Sequence, residues 1–278
     1  MGLMKTIAFH SYKGGTGKTT LISNLAALYA KNGFNVALLD FDLYAPSLGS
    51  YFKKKPNIFI NDLLNGQANI SDILYDLTSE LGLNGKFLVG FSSSRKEDVN
   101  EIDMKHDSKW QIEAVKRFIK AKQELNDQFK IDYLFLDTSP GIRYWSINTL
   151  AMSDYIFLLL KDSDMDIEGT RKMIIDIYDS LSRYGAKYYA ILNKVPGETV
   201  KEESKLIKDE KAWISELERV VGADVVGSIP CFCDIQFSRH EFLFSIRQPS
   251  HLFSTRMEKI ADTIKKLSET TKKNDFQQ

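Results

Sequence analysis

The chain has 278 residues, enough for one large α/β domain or at most two small ones, and its 43% hydrophobic and 27% charged residues are ordinary for a globular protein with a sizeable core. Lys plus Arg and Asp plus Glu are both 37, so no net charge draws the whole molecule toward nucleic acid or an acidic membrane, and either would need a local patch. Cys231 and Cys233 are the two cysteines, too few for a disulfide framework, which points to a reducing, cytoplasmic setting. No apolar run approaches the roughly 18 residues of a membrane span.

In chain order, apolar β-branched runs alternate with longer amphipathic stretches. The first run, Thr6–His10, predicts a strand; it is followed by Ser-Tyr-Lys-Gly-Gly-Thr-Gly-Lys-Thr-Thr from Ser11 to Thr20 and by a helix over Thr19–Asn32. Strand, glycine-rich loop and helix are the context of a phosphate loop, whose backbone N–H groups and helix N-terminus converge on phosphate oxygens. Gly14, Gly15 and Gly17 let the backbone approach the ligand closely, Lys18 reaches its terminal phosphates, and the Thr19 hydroxyl is placed for Mg²⁺. Thr16 and Thr20 complete the loop. A standard phosphate loop has glycine where this chain has Tyr12, and here a second lysine, Lys13, precedes the glycine pair.

The second strand, Val36–Phe41, ends in Asp40-Phe41-Asp42, and strand alternation puts both carboxylates on one face, aimed at the loop. They serve a nucleotide site or simply cap the next turn. Lys53-Lys54-Lys55-Pro56 is a basic turn, and Ser92–Ser108 reads as a polar surface loop after a strand at Phe87–Phe91. A helix over Trp110–Gln128 precedes the strand Tyr133–Leu136, which closes on Asp137-Thr138-Ser139-Pro140-Gly141; an apolar strand ending in aspartate reads as a Walker B element with Asp137 on Mg²⁺. Tyr155–Leu160 is a buried strand, followed by a helix over Asp166–Tyr184. The strand Tyr188–Leu192 leads to Asn193 and Lys194; an Asn side chain matches the adenine edge, while Pro196 stands where guanine readers carry aspartate, so ATP is favoured over GTP, with a turn-forming role for Asn193 as the alternative. A helix over Lys201–Val221, a strand at Val225–Ile229 and a last helix over Leu252–Leu267 complete the pattern, with Thr270–Gln278 as a polar tail. The expected architecture is a doubly wound, mostly parallel sheet with helices on both faces and ligands bound at the strands' carboxyl ends: a single domain over 1–269 and a tail over 270–278.

The Lys13-Gly14-Gly15-Thr16-Gly17-Lys18-Thr19-Thr20 string resembles the deviant Walker A loop of the MinD/ParA ATPases. The resemblance runs from Lys5 to the region of Cys231 and includes Asp40, Asp42, Asp137, Asn193 and the Gly227-Ser228-Ile229-Pro230 segment. Leu43-Tyr44, where ParA usually has Pro-Gln, makes the chain more similar to MinD and Mrp than to ParA proper. The resemblance implies a Mg²⁺-dependent ATPase that dimerises around ATP to recruit or position a partner, in a cell-division, partitioning or positioning role. It also implies that Asp40 holds the Mg²⁺ water shell, Asp42 orients the attacking water, Gly141 senses the γ-phosphate, and backbone at Pro230 and Cys231 lines the adenine pocket. Lys13 reaches the phosphates of the other subunit. The partner is an unidentified protein, with DNA left open.

Two rival readings compete with this one. An Mrp-type metal or iron–sulfur carrier would use Cys231 and Cys233, but the Cys-x-x-Cys spacing of those carriers is absent. A ligase or kinase of dethiobiotin-synthase type has no need for Lys13. His10, His106, His240 and His251 form no ligand spacing, and His10 is expected to be packed. The last helix carries Phe253, Met257, Ile260, Ile264 and Leu267 on one face but acidic residues on its polar face, so docking onto the domain is expected rather than stable membrane binding.

Overall fold

The computed structural model describes residues 3–104, 108–196, 203–238 and 242–274; His106, His240 and the start of the expected Lys201 helix lie outside these residues. Eight strands form one sheet: β1 (Lys5–His10), β2 (Val36–Phe41), β3 (Leu74–Asp76), β4 (Phe87–Gly90), β5 (Tyr133–Thr138), β6 (Tyr155–Leu160), β7 (Lys187–Val195) and β8 (Val225–Pro230). Their order is β3-β4-β2-β5-β1-β6-β7-β8, parallel throughout except for the β3–β4 pair. The near-continuous apolar character of the central strands follows from burial on both faces; all six residues of β2, β5 and β6 are buried.

Alternation divides the side chains between two cores. Ile7, Phe9, Leu38 and Phe135 face the layer formed by α1 (Lys18–Lys31) and the Leu252–Asn274 helix. Ala8, Leu39, Leu136 and Leu158 face the opposite layer, built from the helices Ile60–Asn65, Ser108–Asp127, Asp164–Met173 and Glu203–Val221. The chain leaves β1 toward β2 on one side and later places β6 on the other, so the crevice of this doubly wound sheet opens at the carboxyl end of β1.

Four differences from the sequence reading have physical causes. The short antiparallel edge strand β3 has no alternating apolar pattern of its own. The Ser92–Ser108 segment is not all loop: a helix spans Lys96–Met104, with Glu97 and Asp98 complementing its N-terminal dipole and Ile102 buried as its anchor. The helix expected over Asp166–Tyr184 starts at Asp164, where the Ser163 hydroxyl caps the Asp166 N–H, and passes through a π-helical turn at Ile174–Tyr178 before ending at Ser182. The last helix continues past Leu267 to Asn274. Its seam docks as expected: Phe253, Met257, Ile260 and Ile264 are buried in the α1 layer, each such side chain contributing ~1.5–3 kcal/mol. No helix among the described residues is long and apolar enough to cross a membrane.

Candidate nucleotide site

The glycine-rich loop lies between β1 and α1. Gly15 and Gly17 adopt left-handed backbone, φ 76° and 96°, and Gly17 is the N-cap of α1 with no side-chain cap. The first N–H groups of α1 are therefore left for an anion. The Lys18 ammonium is buried and donates to Ser11 Oγ at 3.0 Å. Burial lowers its pKa, opposed by the charges of Asp137 and Asp42. An ammonium has three donors, so this contact leaves capacity for phosphate oxygens. Thr16 is buried with an unpartnered hydroxyl, and the Thr20 hydroxyl lies 3.0 Å from that of Tyr51.

Under the loop, register brings two carboxylates side by side. Asp40 on β2 is the parallel partner of Asp137 on β5, and alternation turns both toward α1, in line with Leu38 and Phe135. Thr19 Oγ1 donates to Asp137 Oδ2 at 2.6 Å, and Ser47 Oγ donates to Thr19 Oγ1 at 3.2 Å. Asp40 accepts the backbone N–H groups of Asp42 at 3.1 Å and Leu48 at 3.2 Å, whereas Asp137 Oδ1 is buried without a partner. Burial, with Asp137 and Asp42 close by, holds the Asp40 carboxyl well above the usual carboxylate range. Burial also pushes Asp137 up to about 6, against the opposing pull of Lys18 and Thr19. A hydroxyl, two buried carboxylates and an orphaned carboxylate oxygen fit Mg²⁺, which keeps several waters and takes its other ligands from phosphates. Each carboxylate raised by burial is one that a divalent cation would return to its charged form.

Asp42 lies just beyond β2, in the turn. Its Oδ1 accepts both the Ala45 N–H at 3.0 Å and the Ser139 hydroxyl at 2.7 Å, so it caps the turn and ties it to the loop after β5. Gly141, at φ 72°, donates its N–H to Ser11 O at 2.9 Å, joining that loop to the phosphate loop. Lys13 is half-buried, with its ammonium against Met165 Sδ. Tyr12, the residue in the unusual loop position, lays its ring on Gly169 of the Asp164–Met173 helix, where a Cβ would come within 2.1 Å of the ring. His10 is packed, not placed for chemistry. It is fully buried, Nδ1 lies 2.7 Å from Thr138 Oγ1, and burial followed by the Lys18 charge depresses its pKa to about 3.

Beside the loop opens a cavity of about 420 Å³. Asn193, Pro230 and Phe232 line it, with Gly15, Gly17 and Thr20 on the loop side. Asn193 is buried and its Nδ2 donates to Thr16 O at 2.6 Å, so one end of the amide braces the loop. Gly17 is required there, because a Cβ would approach that nitrogen to 2.4 Å. Cys231 is exposed, donates its backbone N–H to Val195 O, and is not among the lining residues. Cys233, also exposed, begins a helical turn at Cys233–Gln236, so the two thiols do not share an extended segment. Among the described residues no group of three or more His, Cys, Asp or Glu side chains is placed to hold a metal ion.

The structure thus gathers Gly14, Gly15, Thr16, Gly17, Lys18, Thr19 and Thr20 with Asp40, Asp42, Asp137 and Gly141 on the phosphate side, and Asn193 with Pro230 at the cavity. Sequence reasoning missed Ser47, Ser139, Gly169 and the aromatic lining at Phe232, Phe242 and Phe244. Only Ser139 carried a signal, by its place in the Asp-x-x-Pro-Gly stretch.

The AAA_31 family model, an AAA domain, matches residues 4–184. An uncharacterized ATP-binding protein of Methanocaldococcus jannaschii is 25% identical over 98% of this chain and 92% of its own length. The chromosome-partitioning ATPase Soj of Treponema pallidum is 28% identical over 59% of this chain and 60% of its own. The cell-division ATPase MinD of Pyrococcus furiosus shares the fold, with a TM-score of 0.71 and 22% identity over 95% of this chain and 99% of that one. With a deviant phosphate loop, register-paired aspartates beneath it and these relatives, the chain belongs to the MinD/ParA family of P-loop ATPases.

Proposed function

We propose that this protein binds Mg²⁺ and ATP, hydrolyses the nucleotide slowly, and acts as a switch that dimerises around ATP to recruit a partner. The observation that carries the reading is the pairing of Asp40 and Asp137 beneath Thr19, with Asp137 Oδ1 unpartnered, at the N-terminus of α1. In this reading Lys18 and the loop N–H groups hold the phosphates, and Thr19, Asp40 and Asp137 hold Mg²⁺, directly or through water. Bound there, Mg²⁺ would neutralise charge on the terminal phosphates. Asp42 positions the attacking water, Gly141 responds to the γ-phosphate, and Lys13, half-buried beside the loop, serves the partner subunit's nucleotide. Asn193 with the backbone at Pro230, both lining the cavity, receives adenine. Residues 1–269 act as the one catalytic unit in the cytoplasm, and 270–278 as a tail. The relatives named for chromosome partitioning and cell division support a positioning role, with the partner a protein or DNA.

Asp42→Ala tests the switch. Positioning groups contribute ~10²–10⁴-fold to rate, so the variant should bind ATP, hydrolyse it slower by that factor, and elute as a dimer with ATP but a monomer with ADP. Size-exclusion chromatography with light scattering reads this out. A variant that hydrolyses at the wild-type rate, or stays monomeric at saturating ATP, would show that Asp42 only caps its turn.

A further inference from the structure

The cavity beside the phosphate loop extends away from Asn193 onto the short helix Leu48–Tyr51 and the turn after it, where Ser50, Tyr51 and Lys53 line it. That turn is held firmly. The Tyr51 hydroxyl lies 3.0 Å from Thr20 Oγ1, fastening it to the first turn of α1. Phe52 is buried, its ring centroid 5.0 Å from that of Phe242 and 5.9 Å from that of Phe87. Between these anchors Lys53 adopts φ 51°, a left-handed backbone that disfavours any residue with a Cβ and is retained where the surroundings impose it.

The charges are distributed unevenly. Lys54 is engaged with Glu80 at 2.6 Å, but Lys53 makes no ion pair among the described residues. Lys53 and Lys194 both line the cavity, and no carboxylate does among the described residues. The Lys194 ammonium already donates to Gly15 O at 3.2 Å. Lys53 is thus the uncommitted cation of a cavity whose electrostatics favour an anion. Its place along the cavity says which part of that anion. Lys18 and Thr19 mark the terminal phosphates and Asn193 the base; Thr20, with Tyr51 on it, lies between.

We propose that Lys53 is a further nucleotide-binding residue, contacting the phosphate nearest the sugar, a group that ATP and ADP share. The inference rests on the nucleotide-binding reading above.

The test is isothermal titration of ATP and of ADP, each with Mg²⁺, into wild type, Lys53→Gln, Lys53→Arg, Lys55→Ala and Lys18→Ala. Lys53→Gln removes the charge and keeps a shorter polar side chain. It should raise both Kd values by about tenfold, the scale of one charge-assisted contact, and Lys53→Arg should recover most of the loss. Lys55→Ala removes a neighbouring exposed charge and should change neither. Kd values for Lys53→Gln within about twofold of wild type would overturn the assignment. A loss confined to ATP would also overturn it, by placing Lys53 on the terminal phosphate, and so would an equal loss in Lys55→Ala, by making the effect one of diffuse charge. If wild type binds and Lys18→Ala does not while Lys53→Gln is normal, only Lys53 is misassigned; if wild type binds neither nucleotide, the nucleotide reading falls as well.

Discussion

Asp137→Asn separates the cost of the acidic floor from its use. Burial carries the Asp137 carboxyl from 3.8 up to about 6 in the folded chain. A carboxyl with a raised folded pKa binds its proton more tightly in the native state. Its contribution to stability is therefore complete below about pH 3.8 and is lost as pH rises through about 6. The difference of about two units corresponds to ~3 kcal/mol at most. Asn keeps an acceptor for the Thr19 hydroxyl and has no charge to bury. In metal-free and nucleotide-free buffer, urea unfolding should show the variant gaining on wild type by up to ~3 kcal/mol between pH 4 and pH 7.5. Adding Mg²⁺ and ATP at pH 7.5 should reverse the order, because the cation neutralises the buried wild-type carboxylate, already ionised above about pH 6, and finds only an amide in the variant. A difference between the two proteins that does not change with pH, or equal stabilisation of both by Mg²⁺ and ATP, would refute the reasoning.

Lys18→Ala should abolish ATP binding, whereas Lys13→Ala should bind normally and lose dimer-dependent hydrolysis by up to ~10³-fold; equal loss of affinity in both, by titration, would end that division of labour. Gly169→Ala drives a methyl into the Tyr12 ring and should destabilise the fold by ~1–3 kcal/mol in urea unfolding, with Tyr12→Ala in the same chain relieving the loss; additive losses would show the two residues to be uncoupled. ATP should outcompete GTP by ~1–3 kcal/mol, because Asn193 gives one Nδ2–H to Thr16 O while its Oδ1 accepts from the adenine amine but repels guanine O6; equal affinities in competition binding would leave Asn193 a loop brace only.

The fold was legible where burial dictates residue type. Strands covered on both faces must be apolar throughout, so β2 and β6 were readable with their boundaries, and β1 to within one residue. Legibility failed where structure depends on neighbours. β3 exists because β4 offers it an edge, and its three residues are half-exposed or exposed. Among the described side chains, the Lys96–Met104 helix buries one apolar anchor, Ile102, too little to set up a periodic stripe. The polar end of the last helix has no apolar seam at all, and it continues on the helix preference of its Lys and Glu residues.

The site divides in the same way, and Asp42 shows why. The phosphate loop is a local device whose glycines and lysine are contiguous, so its parts can be named from the string alone. Asp42 could be read from the sequence as a water-positioning carboxylate or as a turn cap, and nothing local decides between them. In the structure its Oδ1 holds the Ala45 N–H and the Ser139 hydroxyl together, and Gly141, two residues beyond Ser139, holds Ser11 O in the phosphate loop. Capping is therefore what places this carboxylate against the loop after β5, and it is compatible with the proposed water-positioning role. The same chain of bonds ends in the segment that exposes Ile142 and Tyr144 at 61% and 43%, beside Arg143 stacked 4.8 Å over the Tyr44 ring. If the protein switches as proposed, a shift at Asp42 or Gly141 would be carried into that apolar surface through hydrogen bonds only two residues apart, a route by which a change at a phosphate would alter what the surface can bind.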